Sequence, residues 1–135
     1  MEHLSNLEYL NLNGNDLEKI SGLEYLKSLC YLNVANNKIS DLRGLECITS
    51  LKGLSIVGNK IDNLSFSESL TNLEILNLDR KLLSQKSLLL KLKKLKWLYC
   101  DPWFDFDDWF KYNKDFRLFR NQINFIKKIK KSEKI

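Results

Sequence analysis

The sequence predicts an α/β solenoid: short parallel strands, one per 22-residue turn, a 3₁₀-like second half to each turn, and a helical aromatic C-terminal cap. Two observations predict it. The chain repeats itself at an offset of 22 over about a hundred residues, and its composition then changes abruptly to aromatic and charged. Length and composition agree with one folded domain. The 135 residues are 44% hydrophobic and 29% charged, so a globular rather than a disordered chain is expected. Leu supplies 27 residues and Asn 14, against single copies of Pro, Met and His.

The repeat is read column by column. Leu7, Leu29, Leu51, Leu73 and Leu95 share one position. Three residues later come Leu10, Leu32, Leu54, Leu76 and Leu98, and two further on Leu12, Val34, Ile56, Leu78 and Cys100. Asn15, Asn37 and Asn59 follow, where the column turns to Lys81 and Trp103; Leu17, Ile39, Ile61 and Leu83 come next. Five copies run without an insertion. Alternation at the L-x-L positions is strand-like. One short strand cannot bury its apolar face alone, so neighbouring turns stack into a continuous core. In the second half of each turn, Ile20, Leu23 and Leu26 recur as Leu42, Leu45 and Ile48. That three-residue spacing predicts a 3₁₀-like segment.

The pattern L-x-x-L-x-L-x-x-N-x-L resembles the leucine-rich repeat family, specifically its 22-residue internalin-like type, over roughly residues 4–103. The resemblance implies a leucine-rich-repeat solenoid with strands on a concave face and a 3₁₀ or helical convex side. It also implies that the inward-facing Asn column forms a ladder, bonding backbone groups of adjacent turns. A buried amide needs such partners. Five repeats are assigned to residues 1–103, the last degenerate, because the Asn column fails at Lys81 and Trp103. Asp101-Pro102 marks the end of the solenoid and suits the start of a helix.

Eleven of the 15 aromatic residues lie between Trp97 and Phe125. Trp109, Tyr112, Phe116, Phe119, Ile123 and Ile126 recur at helical spacing. Asp105, Asp107 and Asp108 open this segment and Lys127, Lys128 and Lys130 close it, as a helix dipole favours. A cap over 104–127, covering the open end of the Leu core, is expected, followed by a disordered basic tail over 128–135. A partner- or membrane-binding amphipathic helix is the alternative, disfavoured by the acidic residues on its polar face. The first repeat begins close to Met1 with no comparable cover. That open edge leads us to expect weak self-association or a partner contact there.

The outward positions of the strands form columns, and the resemblance implies binding on this concave face. One column reads Tyr9, Tyr31, Gly53, Ile75, Trp97; the next Asn11, Asn33, Ser55, Asn77, Tyr99; the third Asn13, Ala35, Val57, Asp79, Asp101; the fourth includes Arg80. An aromatic column beside an exposed amide column suits protein recognition, with Gly53 as a dip for a partner side chain. The residues expected to touch a partner are Tyr9, Asn11, Asn13, Tyr31, Asn33, Val57, Ile75, Asn77, Asp79, Arg80, Trp97, Tyr99 and Asp101. The competing reading is that Tyr9 and Tyr31 only shield the strand backbone.

Catalysis, cofactors and metals are not expected. The lone His3 excludes a two-imidazole metal site and disfavours a His-based triad. Asp79 and Asp101 share a column but read better as solvated than as an acid–base pair. The cluster Asp105, Asp107, Asp108 lacks the glycine and terminal Glu of a calcium loop, and no nucleotide-binding glycine motif is present. Three Cys, at 30, 47 and 100, do not make a disulfide framework and fit a reducing compartment. No signal peptide or membrane span is read, so the chain is assigned to the cytoplasm, or to the inside of a host cell if it is delivered.

The expected function is therefore non-catalytic recognition of another protein through the concave face, as a regulator, adaptor or inhibitor of the immunity type. The alternative is an RNA- or anion-binding adaptor using the Lys-rich end, from Lys86 to Lys96 and the tail, since the net charge of +5 is concentrated there.

Overall fold

The computed structural model describes residues 4–100. The expected cap over 104–127, the tail over 128–135, Asp101 and the fifth-repeat residue Trp103 lie outside them. The described chain is one stack of five turns, each contributing a three-residue strand: β1 (Tyr9–Asn11), β2 (Tyr31–Asn33), β3 (Gly53–Ser55), β4 (Ile75–Asn77) and β5 (Trp97–Tyr99). They form one sheet in sequence order, every pair parallel.

The register follows directly from the period. Tyr9 pairs with Tyr31, Tyr31 with Gly53, Gly53 with Ile75, and Ile75 with Trp97. Each turn hands its amides to the next or previous one in the same way. Leu12 N–H donates to Asn33 O, Val34 to Ser55 O, Ile56 to Asn77 O and Leu78 to Tyr99 O, all within 2.7–3.0 Å. Leu10, Leu32, Leu54, Leu76 and Leu98 point the other way, into the core.

The convex side is 3₁₀, as the three-residue spacing predicts. Arg43–Leu45, Ser65–Glu68 and Arg80–Ser84 are 3₁₀ segments, and a single helical turn, α1 (Lys86–Leu89), follows the last. Apolar residues within and flanking these segments, Leu42, Leu45, Ile48, Leu64, Leu70, Leu82, Leu89 and Leu92, close the core from behind. The two ends of the stack differ. Leu7, Leu10, Leu12 and Leu17 of the first turn are only half-buried, whereas Leu92, Leu95 and Leu98 of the last are buried like those of the middle turns.

The turn after each strand has its own rule. Gly14, Asn36 and Gly58 occupy one column and all take a left-handed backbone, with φ of 72°, 55° and 74°. Glycine and asparagine tolerate that region, and most side chains do not. The next residue in the column is Arg80, and there the chain begins a 3₁₀ segment instead of the tight turn. The repeat thus changes its loop in the same turn in which Lys81 replaces the column Asn.

Candidate functional site

The Asn ladder is built where a turn lies on each side of it. Asn37 Nδ2 donates to Leu12 O, Val34 O and Ala35 O at 2.9–3.1 Å, and its Oδ1 accepts Leu17 N–H at 3.0 Å. Asn59 repeats this one turn on, donating to Val34 O and Ile56 O and accepting Ile39 N–H. Asn15 departs from the expected inward position. It is exposed and bonds only within its own turn, to Leu12 O and Asn13 O, because no earlier described repeat lies beneath it.

At the fourth turn the Asn ladder ends. Lys81 cannot accept a hydrogen bond, and its ammonium reaches out to Asp62 at 3.0 Å. Gln85, four residues later, makes a separate cross-turn contact: its Oε1 accepts Leu64 N–H at 2.9 Å and its Nε2 donates to Asp62 O at 2.6 Å, neither being a group that the Asn column would hold. Column alignment does not single out Gln85, which stands outside the Asn column.

The outward columns come together on one face, as their shared register requires. Tyr9, Tyr31, Ile75, Trp97 and Tyr99 form a second apolar cluster, separate from the Leu core. Expected exposure, however, fails over most of this face. Of the amide column only Asn11 is exposed; Asn33 is buried and Asn77 is 0% exposed, with Asn77 Nδ2 donating to Ser55 Oγ at 3.3 Å. Val57, Ile75, Trp97 and Tyr99 are also buried, and the Gly53 dip is closed to solvent. Tyr31 and Asp79 are half-buried, Asn13 and Arg80 exposed. Most of this face is therefore withdrawn from solvent, which the direction of the side chains alone does not give.

Local bonds hold several of these side chains. Asn11 Oδ1 accepts Asn13 N–H and Asn33 Oδ1 accepts Ala35 N–H, so both amides brace the turn that follows their strand. Asn36 Nδ2 donates to Asn13 Oδ1, and Gly58 N–H donates to Asp79 Oδ1, tying adjacent turns along the rim. Burial, reinforced by Glu74, Cys30 and Glu8, pushes the Tyr31 phenol above its ordinary pKa, so it stays a neutral donor. Lys96 Nζ lies 5.7 Å from the Trp97 ring centre, within cation–π range.

The Lys-rich region is braced by the preceding turn. Lys91 pairs with Glu68, Lys94 donates to Asn72 Oδ1 at 2.8 Å, and Lys96 pairs with Glu74 at 3.3 Å. Lys38–Asp16 and Lys81–Asp62 bridge turns in the same way. Of the cysteines, Cys47 is exposed, Cys30 is half-buried with its Sγ donating to Ser28 O, and Cys100 is pushed up to about 11 by burial. Among the described residues no group of three or more His, Cys, Asp or Glu is placed to hold a metal ion, and no helix is long and apolar enough to cross a membrane.

A parallel sheet advancing by 22 residues per strand, an inward Asn ladder and a 3₁₀ convex side define a leucine-rich-repeat solenoid. Residues 5–47, about a third of the chain, match the family model of Leucine Rich repeats (2 copies). Among solved structures it is similar to internalin C2 from Listeria monocytogenes, with 26% identity and a TM-score of 0.63 over 73% of this chain and 43% of that one. It is similar to an internalin (inlF) from the same organism, with 26% identity and a TM-score of 0.52 over 75% of this chain and 36% of that one. This chain thus spans less than half the length of either internalin chain. A chain of the Drosophila melanogaster SNF/U2A′ complex shares the fold at 23% identity and a TM-score of 0.59, over 93% of this chain and 70% of that one. No curated protein matches the chain.

Proposed function

We propose that this chain is a non-catalytic protein-recognition module that seats a partner protein on its concave face, as a regulator, adaptor or inhibitor. The observation that carries this reading is the second apolar cluster, Tyr9, Tyr31, Ile75, Trp97 and Tyr99, on the outer side of the sheet. The solenoid core is already complete without it, from Ile20 through Leu98. An aromatic stripe that the core does not need is the composition of an interface centre, where Tyr and Trp give large contact area with a polar tip. Half-buried Tyr9 and Tyr31, exposed Asn11 and Asn13, and exposed Asn36 form the accessible end, where a partner would first dock.

The Lys-rich end supports an RNA-binding role less well, since Lys91, Lys94 and Lys96 are engaged by Glu68, Asn72 and Glu74. The site is taken to be cytoplasmic, or intracellular in a host after delivery. The test is affinity capture from the native host with identification by mass spectrometry, repeated with Tyr9→Ala and Tyr31→Ala together. Loss of a partner protein in the double variant supports the concave interface. Unchanged capture of every partner overturns it. Capture that collapses steeply with added salt and is removed by nuclease supports the nucleic-acid alternative instead.

A further inference from the structure

One flank of the sheet carries a column of alternating charge. The residue before each strand reads, turn by turn, Glu8, Cys30, Lys52, Glu74 and Lys96. At the last turn this column seats a cation beside an aromatic ring. Lys96 Nζ lies 5.7 Å from the Trp97 ring centre and pairs with Glu74 of the preceding turn at 3.3 Å. The negative ring face and the carboxylate both attract the ammonium, so the two contacts support each other.

At the first turn the same flank position holds a carboxylate. Glu8 stands before Tyr9 as Lys96 stands before Trp97, and Tyr9 is the register partner of Tyr31. Paired strands lie ~4.8 Å apart, so two half-buried tyrosines and one carboxylate fall within reach of a single long side chain. Glu8 is exposed, and among the described residues it has no ion-pair partner. The nearest cation in its own column, Lys52, is two strand spacings away, ~10 Å, about a Debye length at 0.1 M salt. Burial, with negative charge from Glu74, Cys30 and Glu8, holds the Tyr31 phenol above its ordinary pKa, so the potential there is negative. What Tyr9 offers a partner is not its phenol oxygen, which is withdrawn from solvent. The two ends of the stack also differ in charge. Residues 4–26 hold Glu8, Asp16, Glu18 and Glu24 against Lys19 alone, whereas residues 86–96 hold five lysines and no acid. Asp16 is paired with Lys38, which leaves Glu8 as the carboxylate on the Tyr9 flank.

We infer that the accessible end of the concave face is a seat for a cation: it takes an arginine side chain of the partner protein, with the guanidinium on the Tyr9 and Tyr31 rings and its fork paired with Glu8. This rests on the reading of the face as a recognition surface and names the chemistry that the surface selects. Arginine fits better than lysine. Its guanidinium is planar, stacks on aromatic rings, gives up water more readily than an ammonium and matches a carboxylate with two parallel hydrogen bonds. The charge difference along the stack then orients the partner. A basic side chain is drawn to the Glu8 end and repelled from the Lys86–Lys96 end, so the partner's arginine settles over the first two turns.

The test uses the purified full chain and a small probe in place of a partner, so its failure is distinct from failure of the recognition reading, which partner capture measures. N-acetyl-arginine amide is titrated into the isotope-labelled chain and followed by nuclear magnetic resonance. N-acetyl-lysine amide and N-acetyl-citrulline amide, which keeps the shape of arginine without its charge, are titrated in parallel. Arginine amide is expected to give saturable shifts at Tyr9 and Tyr31, lysine amide weaker ones and citrulline amide none. Glu8→Gln, an exposed change, is expected to leave the melting temperature unchanged and to weaken arginine-amide binding about two- to fivefold. Equal responses to arginine and citrulline amides overturn the inference, as does an arginine response that Glu8→Gln leaves unaltered or one that maps to Trp97 instead of Tyr9 and Tyr31. A lysine response equal to that of arginine overturns the guanidinium as the selected group.

Discussion

Replacing Asn59 by Ala should destabilise this protein more than replacing Asn37, although Asn37 is the more buried of the two. The reason lies in which backbone groups each amide alone satisfies. Three carbonyls accept from Asn37, and each has a second donor: Leu12 O from Asn15, Val34 O from Asn59, and Ala35 O from Gly14 N–H. Asn37→Ala therefore strands mainly the Leu17 N–H, in a half-buried residue. Asn59→Ala strands the Ile39 N–H, in a fully buried residue, and takes the amide donor from Ile56 O. A stranded buried group costs about 1–3 kcal/mol, which gives about 1–2 kcal/mol for Asn37→Ala and about 2–4 kcal/mol for Asn59→Ala. At about 3–5 °C per kcal/mol for a chain of this size, the Asn59 variant should melt roughly 10 °C lower and the Asn37 variant roughly half as much. Asn15→Ala, exposed and bonded only within its own turn, should shift stability by no more than about 0.5 kcal/mol. Thermal unfolding followed by circular dichroism gives the order, and hydrogen exchange at Ile39 and Leu17 locates the loss. Equal melting of all three variants, or Asn37 below Asn59, would refute the donor-sharing argument.

Four further outcomes follow from the same coordinates. Leu54→Ala, in the central strand and fully buried, should cost about 2–5 kcal/mol by leaving a cavity, measured by denaturant unfolding. Gln85→Ala should cost about 1–3 kcal/mol by stranding Leu64 N–H and Asp62 O, while Lys81→Ala, whose bridge to Asp62 is exposed, should leave unfolding nearly unchanged. Gly44→Ala should force the first two turns apart, since its Cβ would sit 2.0 Å from Ile20 O, and should lower the melting temperature more than Gly22→Ala, whose added Cβ meets nothing and which costs only the strain of a side chain at φ 77°. Alkylation followed by mass spectrometry should modify exposed Cys47 first and Cys100 last. Burial raises the folded Cys100 thiol from 9.0 to about 11, so its contribution to stability is whole below pH 9 and is lost as pH rises toward 11; Cys100→Ala should flatten that fall.

Much of the site was legible in the residues because a solenoid turn touches only its neighbours. Tyr9, Tyr31, Ile75 and Trp97 were read as one outward column, and the register places them so. The loss of the ladder at Lys81 was likewise legible, since an ammonium cannot accept. The separate cross-turn contact of Gln85 was not. That depends on how far a flexible side chain reaches from a 3₁₀ segment whose course differs from the tight turns at Gly14, Asn36 and Gly58. The Lys-rich stretch read as a charged surface, and only the neighbouring turn revealed Glu68, Asn72 and Glu74 as its partners.

The 22-residue period by itself determined the strands, their parallel order, their pairing and the leucines that fill the core. Those features are local: they repeat because each turn meets the same backbone above and below it. Only the tertiary structure decided that Asn33, Asn77, Trp97 and Tyr99 are buried rather than offered to solvent. A periodic pattern says which way a side chain points. Whether solvent reaches it is settled by how the finished structure packs around the sheet, which the period does not contain.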